Sequence, residues 1–259
     1  MWSLENILII TVTFLIAGFV KGMIGLGLPS VSLALLAATL GLKEAMTIML
    51  IPSLCANILQ GAVGGHFSFV AKRFAPLMIA AAIGTWFAVG IMAKSEAILL
   101  SGLLGVSICA YSGISLFTPQ IKPPGDNEKW LSPIIGIFTG LLTGLTGSFI
   151  MPGVLYLQAL GMHRDVLLQA MGVVFTAATI ALALSLGGQN LLPLETVIIS
   201  TGALVPAFIG MGLGRLIRKK MSGSQFRRIF FVGLFFIGFY IISKVVAHEK
   251  FQESLINWT

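Results

Sequence analysis

The chain has 259 residues, of which 57% are apolar and only 10% charged, and its mean hydropathy is +1.00; a soluble domain of this length has no interior large enough to hide that much apolar surface. The net charge of +7 does not point to nucleic acid, because six of the sixteen basic residues sit together between Arg215 and Arg228, the pattern of a cytoplasmic anchor against anionic lipid. Cys55 and Cys109 stand alone within apolar runs, so neither a disulfide nor a metal site is indicated, and no cofactor is expected.

From the N-terminus, Met1-Trp-Ser-Leu-Glu5-Asn6 precedes an apolar run without the Lys or Arg of a secretory leader, and no cleavage is expected. Glycine, proline and charge clusters divide the first half of the chain into apolar segments near 7–22, 29–40, 44–63, 74–94 and 97–118. A polar stretch running from Thr118 through Lys122 and Asp126 to Lys129 intervenes. Further segments lie near 131–146, 152–161, 165–186, 194–217 and 228–247. The second set repeats the first. The expected fold is therefore an all-α polytopic membrane protein of two homologous repeats, about 8 to 10 helical segments in all. Each repeat is a Gly/Pro-broken or re-entrant helix followed by three transmembrane helices. The boundaries are 1–118 for the first repeat, 119–130 for the linker and 131–259 for the second repeat.

The first two segments of each half are too short to span separately and too long as one straight helix. Either each pair crosses as one broken helix, giving parallel repeats, or it returns to its own side as a hairpin, giving inverted repeats. Charge favours the hairpin. With the Arg215–Arg228 loop inside, the hairpin places eleven basic residues inside and Lys43, Lys94, Lys244 and Lys250 outside; the crossing arrangement gives nine inside and six outside.

The breaks themselves are Gly18-Phe-Val-Lys21-Gly22-Met-Ile-Gly25-Leu-Gly27-Leu-Pro29 and Gly140-Leu-Leu-Thr143-Gly144-Leu-Thr146-Gly147-Ser148-Phe-Ile-Met-Pro152. Gly22, Gly25 and Gly27, and Gly144 and Gly147 in the second copy, permit backbone conformations closed to other residues. Pro29 and Pro152 suit the first turn of a new helix. A helix starting inside the membrane presents free N–H groups and the positive end of its dipole, which an anion satisfies. Ser30, Thr143, Thr146 and Ser148 are the expected hydroxyl donors beside those N-termini. The competing explanation is close helix packing, since Gly18-xxx-Gly22, Gly140-xxx-Gly144 and Gly210-xxx-Gly214 all have small-xxx-small spacing; packing alone does not require a proline at a matching place.

Lys21 lies about fourteen residues into its apolar segment, roughly 20 Å along a helix, where an ammonium needs water, a partner or a substrate anion. Thr143 occupies the matching place in the second copy. Asn57 and Gln169, on the helices after each break, are further candidates to line a cavity, with interhelical hydrogen bonding as the alternative. Asp165, in the turn His163-Arg164-Asp165, is placed to cap a helix. All nine carboxylates fall at segment ends or in loops, so a buried acidic proton relay is not expected.

The duplicated Gly-rich break with its proline, the helices through Ala45 and Ala170 that come after it, and the basic loop before the last helix resemble the TauE/SafE family across essentially the whole chain. Where that family often shows consecutive glycines, this chain reads Gly25-Leu-Gly27 and Gly147-Ser148-Phe149. The resemblance implies a bacterial inner-membrane carrier, not an enzyme, for sulfite, organosulfonates or another small organic anion. Its partners would be that anion and the lipid bilayer, with a homo-oligomer left open. An anion channel, and more remotely an intramembrane enzyme using Ser148, are the alternatives.

Overall fold

The computed structural model describes residues 2–117, 123–218 and 223–256. Lys122, Lys219 and Lys220, which contribute to the charge comparison between the two topologies, lie outside the described residues. Every regular element among the described residues is helical. Among the described residues, six helical stretches are long and apolar enough to cross a membrane, or up to seven if a bent pair is one span. Large apolar side chains such as Ile79, Ile83, Trp86 and Phe87 point outward, as they must where the solvent is hydrocarbon.

α1 (Leu4–Ile24) starts where the Ser3 hydroxyl accepts the Asn6 N–H at 3.2 Å. It stops at Gly25, whose φ of 79° turns the chain left-handed while its N–H donates to the Lys21 carbonyl. At 21 residues α1 is long enough to cross by itself, which corrects the expectation that each arm is too short. α2 (Leu28–Thr39) begins after Gly27, at φ 103°, with Pro29 in its first turn. Its course is read from its neighbours in the last helix, α12 (Gly223–Ile256): Gly27 lies beside Phe230, whereas the Ala38 carbonyl accepts from Lys244 Nζ at 3.2 Å.

The segment expected over 44–63 is two helices, α3 (Leu42–Ile48) and α4 (Leu50–Ala62), bent by 43°. Pro52 explains the bend, because it has no N–H for the carbonyl four residues earlier. That carbonyl, on Ile48, accepts instead from the Ser200 hydroxyl at 2.7 Å, and the Ile51 N–H donates to Ser200 Oγ at 3.2 Å. Ser200 belongs to α10 (Leu194–Gly202), which is followed by α11 (Leu204–Arg218) in one apolar stretch of 25 residues. Here Pro206 stands four residues after Gly202 and interrupts the ladder in the same way.

α5 (Phe67–Lys94) starts seven residues before the expected 74, running through Lys72 and Arg73. Arg73 is neutralised across the fold by Glu128, its guanidinium donating to both carboxylate oxygens at 2.6 and 2.7 Å. α6 (Ala97–Phe117) leads to the linker, a 3₁₀ turn at Gly125–Asn127, and α7 (Glu128–Thr146). α7 ends as α1 does: Gly147, at φ 74°, donates its N–H to the Thr143 carbonyl. α8 (Gly153–Ala159) then returns along α7, with Gly153 against Thr139 and the following Gly161 near Pro123. α9 (Arg164–Gly188) comes next. Its N-cap is His163, without a side-chain hydrogen bond, so Asp165 sits inside the first turn instead of capping it.

Two parallel helix pairs carry the most extensive packing. A Cβ at Gly18 would meet the Ala207 carbonyl, one at Gly22 the Met211 carbonyl, and one at Gly210 or Gly214 the carbonyls of Leu15 or Phe19, so α1 and α11 touch backbone to backbone. Gly136, Gly140 and Gly144 of α7 meet Leu77, Ala81 and Thr85 of α5 in the same manner. Gly144, expected as part of the break, is thus a packing residue inside α7. The end of α1 shares a face of the molecule with the ends of α4 and α11, with His66 before α5 and with the start of α9. α7 starts beside the first turns of α5 and runs away from that face. The two Gly-broken helices therefore run in opposite senses, each folded back as a hairpin.

Candidate functional site

The side chains expected at a single central site fall into two places. The first is an open cavity of about 650 Å³ between the ends of α1, α4 and α11 and the start of α9. Lys21, Gly22, Gly25 and Gln169 line it, together with Gln60, Gly64, His66, His163, Asp165, Arg215 and Arg218. The second is a pinched cavity of only about 10 Å³ enclosed by Pro29, Ser30, Gly147, Ser148, Phe149, Ile150 and Phe175. That is room for about one water molecule.

Lys21 is held at the first place by its position four residues before the left-handed Gly25, which brings it to the inner wall of the cavity. It is 4% exposed, and its Nζ donates to Asn57 Oδ1 at 2.6 Å. Asn57 is fully buried, and its Nδ2 has no partner. An amide oxygen solvates an ammonium but does not neutralise it. The buried polar residues include no Asp or Glu among the described residues. The carboxylate that does line the cavity, Asp165, is exposed at the mouth, 3.9 Å from His163 Nδ1. Arg215 and Arg218 add positive charge to the same wall. The cavity is a donor-rich, cationic recess in which an anion finds partners and a cation is repelled.

Gln169 lines this recess but is committed to structure. Its Nε2 donates to the Gly61 carbonyl at 2.9 Å and its Oε1 accepts from the His66 N–H at 2.8 Å, while Gln60 Nε2 donates to the Leu168 carbonyl at 2.7 Å. These three bonds pin α4 and the loop after it onto α9. Gly61 and Gly172 allow that approach, since a Cβ at Gly172 would meet the Gly61 N–H.

At the second place the hydroxyls behave differently from the expectation. Thr143 donates to the Thr139 carbonyl at 2.7 Å and Thr146 to the Leu142 carbonyl at 2.6 Å, so both are spent on their own helix. Thr146 Oγ1 also accepts the Ser148 N–H at 3.2 Å, shaping the turn after α7. This is the usual fate of a mid-helix Thr in an apolar setting, where the preceding turn offers the nearest acceptor. Ser148 keeps a buried, unpartnered hydroxyl at the pinched cavity, and Ser30 faces the same space from the first turn of α2. Pro152 is the N-cap of α8, and Gly27 that of α2.

The sequence matches the family profile described as "Sulfite exporter TauE/SafE" over residues 10–241. The chain belongs to the TauE/SafE family. It is thus a multi-pass membrane protein of a transporter family, in keeping with its helices and outward apolar surface. Comparison with curated proteins and with solved structures gives no match.

Arg215 and Arg218, read from the sequence as lipid anchors, are among the cavity residues that sequence reasoning missed, with Gln60, Gly64, His66 and His163. A signal for Arg215 was present. Gly210-xxx-Gly214 matches Gly18-xxx-Gly22 in spacing, and once the two strips are laid face to face the residue after Gly214 falls beside Gly22.

Proposed function

We propose that this TauE/SafE protein is a bacterial inner-membrane secondary transporter of small anions, with sulfite and organosulfonates as its first candidates. It works by alternating access of two inverted repeats around a central site between the two helix breaks. The observation that carries this reading is the buried Lys21 at the inner wall of a one-sided cationic cavity, held by the neutral Asn57 and not by a carboxylate. Lys21, Gly22, Gly25 and Arg215 receive the anion, while Asn57, fully buried and outside the cavity lining, holds Lys21 in place. Beyond them, the closed space between Pro29–Ser30 and Gly147–Ser148 is the barrier that must open to the other side, where Ser30, Ser148 and the free N–H groups of α2 take over.

Opening on one face with a closed centre is what a carrier requires, and a permeation pathway open at both ends is what a channel requires. The test is flux of labelled sulfite, sulfate, taurine and a simple sulfonate in proteoliposomes. Saturable flux of one anion supports a carrier, flux far faster than any conformational cycle supports a channel, and no flux of any of them with folded protein contradicts the proposal.

A further inference from the structure

The charge balance around Lys21 says how such a carrier must cycle. Resting on the transporter reading, we infer that this protein is an obligatory anion exchanger: it reorients with an anion on Lys21 and stalls when that place is empty.

The argument begins with the surroundings of the ammonium. Lys21 is 4% exposed and donates to Asn57 Oδ1, a neutral acceptor. The cation beside it on the cavity wall is Arg215 of α11, whose backbone lies against Gly22. Arg218 comes one turn later. The remaining ionisable groups on the wall are His66 and His163, which contribute positive charge or none, and Asp165. Asp165 is exposed at the mouth and faces His163, so water screens it from the inner wall. Lys21 has no counter-ion of its own within the protein among the described residues.

In the open form this arrangement is tolerable, because an open cavity of about 650 Å³ gives solvent access to the exposed Arg215 and to the edge of Lys21. Alternating access requires the cavity to close and expel that solvent. Closing it empty leaves two like charges desolvated against each other with only an amide oxygen between them and the apolar interior. Closing it around an oxyanion replaces the lost hydration with charge-assisted hydrogen bonds from Lys21 and Arg215. The anion therefore lowers the barrier to closure as well as being the cargo. A return stroke without an anion meets the higher barrier, and flux in one direction depends on an anion going the other way.

The experiment uses the full-length wild-type protein in proteoliposomes, with labelled sulfite outside and the membrane voltage clamped at zero by potassium and valinomycin. The lumen holds either unlabelled sulfite or an impermeant buffer. Exchange predicts initial uptake at least about tenfold faster into the loaded vesicles. Equal rates into loaded and anion-free vesicles would overturn the exchange inference while leaving the transporter reading intact. No uptake into either, with protein verified as folded, would overturn the transporter reading and exchange with it. Lys21→Met supplies a second check on the residual flux: with the buried charge gone, the loaded and empty rates converge to within about twofold. A ratio unchanged from wild type would overturn the role given to Lys21.

Discussion

The two helix breaks open on the same left-handed turn and differ in chemistry. Each ends a long helix on a left-handed glycine, Gly25 or Gly147, whose N–H returns to the residue four positions before. In the first break that residue is Lys21, buried on an open cavity with its charge unopposed; in the second it is Thr143, whose hydroxyl is already taken by its own helix. One turn geometry thus displays a cation in the first break and a self-satisfied hydroxyl in the second. The lesson is that the break is a scaffold, and that only the first break displays a charge from its turn, with Arg215 and Arg218 of the second half adding theirs from α11.

The sharpest way to break this comparison is to exchange the displayed side chains for neutral ones. Lys21→Met is expected to reduce anion flux by about 100-fold, the loss of a charge-assisted contact worth ~2.7 kcal/mol. Thr143→Val is expected to leave flux within about threefold of wild type. Initial rates in proteoliposomes, normalised to reconstituted protein, decide both; equal losses would mean that the halves are chemically equivalent. The shared geometry is tested by Gly25→Ala and Gly147→Ala. Each forces a Cβ into left-handed backbone and toward a neighbour, Leu168 in one case and Met46 in the other, at a cost of about 2 kcal/mol. Thermal unfolding in detergent should show similar drops for the two.

A smaller effect is expected where the first half leans on the second. Gln169→Ala removes the bonds to the His66 N–H and the Gly61 carbonyl, and should lower stability by about 1 kcal/mol, since water in the cavity re-solvates part of the newly exposed polar surface. The smallest belongs to Arg73→Gln. The pair with Glu128 is bidentate but partly exposed, at 28% and 26%, and its loss should cost under ~1 kcal/mol. A double-mutant cycle with Glu128→Gln measures the coupling.

Much of the architecture was legible because hydrocarbon solvent leaves few choices. Long apolar runs punctuated by glycine, proline and charge mark most helix ends to within a few residues, although α5 starts seven residues early and α12 runs on to Ile256, past the expected 247; the glycine punctuation located both left-handed turns. The 43° bend between α3 and α4 was legible in principle, since Pro52 announces it. The Ser200 that repairs the broken ladder was not, because it lies 152 residues away from Ile48 in sequence. Arg73 misled the reading of α5, as a charge looks like a helix end until its partner Glu128 is known.

At the site the split was similar. Lys21, Gly22, Gly25 and Gln169 stood out as polar or special residues at depth, and they meet at one cavity. Ser30, Gly147 and Ser148 stood out for the same reason and meet at another. Periodicity along one chain carries no information on the separation between the two. Thr143 and Thr146 were drawn to the site by residue type, and only the hydrogen-bond directions show that their hydroxyls are occupied. Arg215 was hidden in a basic cluster whose charge pattern has an ordinary explanation at a membrane face.

The central claim is that the Lys21 break, and not the Thr143 break, holds the anion. Equilibrium binding of sulfite to the purified protein in detergent, by calorimetry, tests it most directly across wild type, Lys21→Met and Thr143→Val. Saturable binding in wild type and Thr143→Val that is lost in Lys21→Met is the predicted result. Binding of equal strength in wild type and Lys21→Met would contradict the account.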